Sequence, residues 1–119
     1  MKLAITATRG ALDAEVDPRF GRALFFIVLD EGGRTVEFVD NGGAVDLAHG
    51  AGIAAVETLV RRGVGVLVTG RVGPKAEQGL RAAGIEVRTG ASGTCLAALA
   101  ALAPGFVPPA VGSDAGSGD

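Results

Sequence analysis

The sequence has a single cysteine, Cys95, a single histidine, His49, and neither tryptophan nor tyrosine. One thiol excludes an intramolecular disulfide framework and any site that draws several thiolates from one chain. One imidazole likewise excludes a histidine-rich metal cage. With aromatics at 4%, all of them phenylalanine, the interior must be built from Val, Leu, Ile, Ala and five Phe. An excess of one charge is lacking too: Asp114 and Asp119 account for the net charge of −2, and the rest of the chain is balanced. That argues against bulk binding to nucleic acid or a membrane surface. No segment approaches membrane-spanning length, and the apolar stretch within Met1–Arg9 is too short for a signal peptide, so a cytoplasmic location is expected. At 119 residues the chain is expected to form one domain.

What the sequence has in quantity is glycine, 20 residues clustered at turns. The most informative stretch runs from Val64 to Pro74. Val64, Val66, Leu67 and Val68 form an uncharged apolar run suited to a strand covered on both faces of a sheet. Thr69-Gly70-Arg71-Val72-Gly73 then reads as a turn, with Pro74 at the first position of a helix. Gly70 and Gly73 let backbone amides approach a ligand, and the helix start adds a positive dipole end, a combination that favours an anion. An ordinary strand-to-helix turn is the alternative reading.

In chain order, Lys2–Thr8 alternates as a first strand and Ala11–Arg22 reads as a loop. Ala23–Leu29 and Thr35–Val39 form a hairpin across the Asp30–Gly33 turn. A helix over Ile53–Arg62 carries Ile53, Val56, Leu59 and Val60 on one stripe and stops at Gly63. After the Val64–Val68 strand come a helix over Pro74–Ala83, a strand over Ile85–Thr89, and a helix over Cys95–Ala103 with Leu96, Leu99 and Leu102 inward. Gly105–Asp119 reads as a flexible tail, docked in part through Phe106 and Val107.

This element order predicts an α/β fold with a five-stranded mixed sheet in order 3-2-1-4-5, strand 2 antiparallel, and three helices. Ligands bind such sheets beyond the carboxyl ends of the strands at the switch point, here between strands 1 and 4. The loops Thr8–Gly10, Thr69–Gly73 and Thr89–Thr94 converge there and offer Arg9, Arg71, Lys75, hydroxyls and free amides.

Four segments carry a family resemblance: Pro18-Arg19-Phe20-Gly21-Arg22-Ala23, His49-Gly50-Ala51-Gly52, Thr69-Gly70-Arg71-Val72-Gly73-Pro74 and Thr89-Gly90-Ala91-Ser92-Gly93-Thr94. In this order they resemble the dinitrogenase iron-molybdenum cofactor biosynthesis family, over about residues 1–103. The resemblance implies a ribonuclease H-like motif and a cofactor-binding domain over residues 1–103, followed by the tail at 104–119. It also implies a non-catalytic carrier of a preformed metal-sulfur cluster, of molybdenum–copper sulfide or iron–molybdenum type, working with assembly or acceptor proteins. Cofactor-binding candidates are Arg9, Arg19, Phe20, Arg22, His49, Gly50, Gly52, Gly70, Arg71, Gly73, Ser92 and Gly93, with His49 and Cys95 as candidate metal ligands. Many members have His before the Phe-Gly-Arg run; Arg19 replaces that possible ligand by a cation.

The chemistry points the same way. An all-protein iron–sulfur site needs about four thiolates. With one, sulfide must complete the metal coordination, and the protein must supply cations and hydrogen bonds to a polyanion. Each arginine taken singly also reads as a solvated surface charge or an ion-pair partner, His49 as a helix-start hydrogen-bonding group, and Cys95 as a small buried apolar residue, the reading favoured for it. A nuclease is disfavoured because the first strand has no carboxylate. The rival readings are a nucleotide or phosphate-ligand module, which lacks Gly-x-x-x-x-Gly-Lys-Ser/Thr and Gly-x-Gly-x-x-Gly, and a cofactor-free interaction module using the Thr35–Val39 edge. A monomer without nucleic-acid or membrane partners is expected.

Overall fold

The computed structural model describes residues 1–42 and 50–106. The expectations for His49 and for residues 107–119, Val107 included, fall outside the described residues. Five strands, β1 (Lys2–Ala7), β2 (Phe25–Asp30), β3 (Val36–Asp40), β4 (Val64–Val68) and β5 (Glu86–Arg88), form one sheet in the order β3-β2-β1-β4-β5. β2 runs antiparallel to β1 and β3, while β1, β4 and β5 are parallel. Three helices, α1 (Ala51–Arg61), α2 (Pro74–Ala82) and α3 (Cys95–Leu102), and a 3-10 turn at Phe20–Arg22 complete the described elements. Order and directions are those expected, and the three helices expected from sequence are present.

Alternation along β1 divides the core in two. Leu3, Ile5 and Ala7 join Ile27, Leu29, Val66 and Val68 under α3, where Cys95, Ala98, Leu99 and Phe106 pack. Ala4, joined by Phe26, Val28 and Leu67, faces α1 and α2 through Ala55, Val56, Leu59, Ala76 and Leu80, with Phe20 against Phe26. β1 is buried on both faces because it occupies the middle of the sheet. Phe106 is buried in the α3 layer, so the packed body reaches at least that residue.

Two helix stripes differ from expectation. Ile53 and Val60 are exposed, while Val56 and Leu59 are buried as expected and are joined by Ala51 and Ala55. On α3, Leu96 is exposed and Leu102 only half-buried, with Cys95, Ala98 and Leu99 inward. The reason is common to both: alanine on the inner face lets a helix lie close to the sheet, and a stripe drawn through the largest residues is rotated away from it. The helix stops are as read, with Gly63 and Gly84 at φ of +74° and +76°, where a glycine is favoured.

The stretch from Ala11 to Arg22, though mostly irregular, is anchored. Leu12, Ala14 and Val16 are buried in the α3 layer, and Val16 bridges to Ala7. At the tops of β1 and β4, the buried Thr6 hydroxyl donates to the Asp17 carbonyl at 2.8 Å and lies 2.9 Å from the Thr69 hydroxyl. The Asp17 amide donates in turn to the Thr6 carbonyl at 3.0 Å. These bonds hold residues 15–18 across the switch point and direct the next residues toward α1 and α2.

Candidate functional site

The chain leaving Asp17 meets the chain leaving β4. The Arg71 amide donates to the Pro18 carbonyl at 2.8 Å, and the Phe20 amide donates to the Arg71 carbonyl at 3.0 Å, so Arg19 and Arg71 are paired in parallel register. Only glycine fits at position 70: a Cβ there would lie 2.5 Å from the Pro18 carbonyl oxygen. Gly70 therefore serves the junction of these two segments. The 3-10 turn that follows is pinned by Phe20, fully buried with its ring 5.7 Å from that of Phe26. Together the turn, the start of α1 and the start of α2 enclose a cleft of about 790 Å³ lined by Arg19–Arg22, Gly50–Gly52 and Arg71–Ala76.

Among the described residues the lining is positive: Arg19, Arg22, Arg71 and Lys75 are part of it, and no described carboxylate is. Glu77, the acidic residue in the first turn of α2, pairs with Arg81 at 3.4 Å. Both helices also point their amino termini at the cleft without a side-chain cap. The first helical bonds run from Ala54 to Gly50 and from Glu77 to Gly73, each at 2.9 Å, so the amides of Ala51, Gly52, Ile53, Lys75 and Ala76 have no intrahelical acceptor. α3 differs, because the Thr94 hydroxyl accepts from the Ala97 amide at 3.1 Å. Gly73 has φ −73°, a value open to any residue, and a Cβ on it would touch nothing within 4 Å. Neither strain nor packing requires glycine there; its effect is to leave the start of α2 uncovered. Two helix termini and four cations around one space can stabilise an anion of high charge.

Of the residues singled out from sequence, the structure gathers Arg19, Phe20, Arg22, Gly50, Gly52, Arg71 and Gly73 around this cleft, with Gly70 in the junction beneath it. Others lie elsewhere. Arg9 is exposed and paired with Asp13 at 3.3 Å, while Gly10 lies against Phe25 and Phe38. Ser92 and Gly93 belong to the loop leading into α3, where the Gly93 carbonyl accepts from Val16 at 2.8 Å. Lys75, Gly21, Ala51, Val72, Pro74 and Ala76 complete the lining. Lys75 was legible as the first cation after the helix-starting Pro74; the others are walls whose neighbours the sequence does not reveal.

Cys95 sits in the α3 layer, fully buried, its thiol directed at the Thr6 carbonyl at 3.8 Å. Burial, reinforced by the Glu15 carboxylate, pushes this thiol from 9.0 up to about 11, overriding the lowering that a helix amino terminus brings. Because the folded-state value is raised, the contribution is intact below pH 9 and is lost as pH rises through about 11. The expected loss between pH 8 and pH 11 is about 2 kcal/mol. Chemical denaturation at pH 8 and pH 11 should show that loss in the native protein and much less of it in Cys95→Ala; equal slopes with pH would contradict the assignment. Among the described residues, no group of three or more His, Cys, Asp or Glu is placed to hold a metal ion.

The sequence model of the family described as dinitrogenase iron-molybdenum cofactor matches residues 1–105. The chain belongs to this family. No curated protein sequence matches it. Among solved structures, the apo form of the orange protein from Desulfovibrio gigas is 49% identical over 92% of each chain, with a TM-score of 0.83. A NifB-like protein from Thermotoga is 37% identical over 84% of each chain, with a TM-score of 0.74. A dinitrogenase-like protein from Methanocaldococcus jannaschii, 15% identical over 87% of this chain and 92% of its own, shares the fold with a TM-score of 0.57. The family match thus spans all three walls of the cleft.

Proposed function

We propose that this member of the dinitrogenase iron-molybdenum cofactor family is a non-catalytic carrier whose cargo is a preformed anionic metal-sulfur cluster containing molybdenum, of molybdenum–copper sulfide or iron–molybdenum type. The observation that carries the reading is the cleft itself, with four cations, two helix starts without a side-chain cap and, among the described residues, no carboxylate in its lining. Family membership supports a cofactor-related role, and a 49% identical neighbour solved in an apo form supports a protein that exists loaded and unloaded.

The chain's donor set favours a cargo whose metals are already satisfied by sulfide. Its one thiol is in the core on the other face of the sheet. Arg19, Arg22, Arg71 and Lys75 would neutralise the cluster, the first-turn amides of α1 and α2 would donate to its sulfides, and His49 is the one proposed direct metal contact. Cofactor-assembly or acceptor proteins are the proposed partners of a cytoplasmic monomer. Among the described residues no helix is long and apolar enough to cross a membrane.

Uptake should therefore depend on ionic strength. Exposed charges are screened beyond roughly 8–10 Å at physiological salt, and partly enclosed ones much less. With tetrathiomolybdate as the probe, followed by its visible absorption, association should slow as salt is added while dissociation changes little. Association indifferent to salt, or a spectrum unaltered by the protein, would count against the reading. Displacement of the probe by micromolar nucleotide would favour the phosphate-ligand alternative instead.

A further inference from the structure

Three small residues hold the walls of the cleft together. A Cβ on Gly52 would lie 3.0 Å from the Cβ of Ala76, and a Cβ on Gly21 would lie 3.0 Å from the Gly52 Cα and 3.1 Å from its amide nitrogen. Gly21 belongs to the 3-10 turn, Gly52 to the first turn of α1 and Ala76 to the first turn of α2. Neither glycine has a positive φ, so neither is needed for backbone conformation. Glycine is a poorer helix former than alanine, so local conformation gives no reason for glycine at position 52. The close contact is what it provides.

We infer that the Gly21–Gly52–Ala76 seam sets the spacing between the amino termini of α1 and α2 and thereby selects the cargo by size. The inference rests on the reading of the cleft as the cargo site. The first-turn amides of Ala51 and Gly52 stand on one side of the seam and those of Lys75 and Ala76 on the other, with Arg22 and Arg71 on the flanking segments. An anion that touches both helix starts must match their separation. The vector from Gly52 points at Ala76, so an added methyl group acts as a wedge between helices. Helix–helix approach is limited by the side chains at the contact, and hydrogen bonds to an anion weaken as donors move away from it. A wider seam leaves a small anion in contact with one helix start only, while a larger one still bridges both.

Molybdate and tetrathiomolybdate make the test, because both are tetrahedral dianions of different radius, and comparing each variant's ratio with that of the wild type cancels their difference in hydrogen-bond acceptor strength. Gly52→Ala, wedging from α1, and Ala76→Val, wedging from α2, should each shift the ratio of the two dissociation constants toward the larger ion by about tenfold. The double variant Gly52→Ala/Ala76→Gly moves the methyl from one helix to the other and should return the ratio to within about twofold of the wild type. General destabilisation would weaken both ions together and leave the ratio unchanged. A ratio that stays put in the folded wedge variants, or one that the double variant fails to restore, overturns the seam while leaving the cleft reading in place. If the wild-type protein takes up neither dianion, the cleft reading falls and the seam with it.

Discussion

Replacing Arg19 and Arg71 together by glutamine is expected to weaken tetrathiomolybdate binding about a hundredfold while changing the melting temperature by only about 2 °C. Each guanidinium offers a charge-assisted hydrogen bond to the dianion, and for exposed side chains a loss of about tenfold per residue is the reasonable scale. The asymmetry between binding and stability has a structural cause. Both side chains are exposed and spring from backbone positions paired in register, so two like charges are held side by side by main-chain bonds that glutamine preserves. Removing their repulsion offsets whatever solvation is lost. Isothermal titration with circular dichroism melting separates the two quantities; a large fall in melting temperature without loss of affinity would reverse the assignment.

Phe20→Ala should show the opposite pattern, with a stability loss of about 3–5 kcal/mol and a melting temperature lower by about 10–20 °C. The ring is 1% exposed and packs at 5.7 Å from Phe26 with the planes tilted by 36°, in the layer shared with α1 and α2. Its truncation leaves a cavity in the aliphatic core and frees the turn that carries Arg19 and Arg22. Phe20→Leu, which refills most of that volume, should recover the greater part of the stability. A Phe20→Ala variant that melts within about 2 °C of the wild type would show that the turn is not anchored through this ring.

Arg19 and Phe20 lie side by side in one motif, and the contrast between them shows how much a sequence can tell. The fold was legible because its signals are local and periodic. Glycine stops at Gly63 and Gly84, the Asp30–Gly33 turn and the alternation in β1 each determine one element, and handedness rules then leave the order β3-β2-β1-β4-β5. The helix faces were less legible, since the inward residues of α1 include Ala51 and Ala55, whose contribution is closeness rather than bulk. The site was legible in part. The turn after β4 and the Phe20 motif were found, but placing Arg9 and the Thr89–Thr94 loop beside them assumed that every loop at one sheet edge faces one space. The helices lie on opposite faces: α1 and α2 shelter the cleft, whereas the loop into α3 turns toward Ala14 and Val16 on the other. The contact of Gly21 with Gly52, 31 positions apart, leaves no periodic trace at all.

The central claim is that a sulfide polyanion is held between two helix starts by cations and amides, without the thiol. Titration of the isotope-labelled protein with tetrathiomolybdate, followed amide by amide by NMR, tests it most directly. The account predicts that the largest shifts fall on Arg19–Arg22, on Ala51–Ile53 and on Arg71–Ala76 excluding Pro74, with Gly93–Leu96 unmoved. Shifts centred on Cys95 and the start of α3, with the amides of Gly52 and Lys75 unchanged, would contradict it.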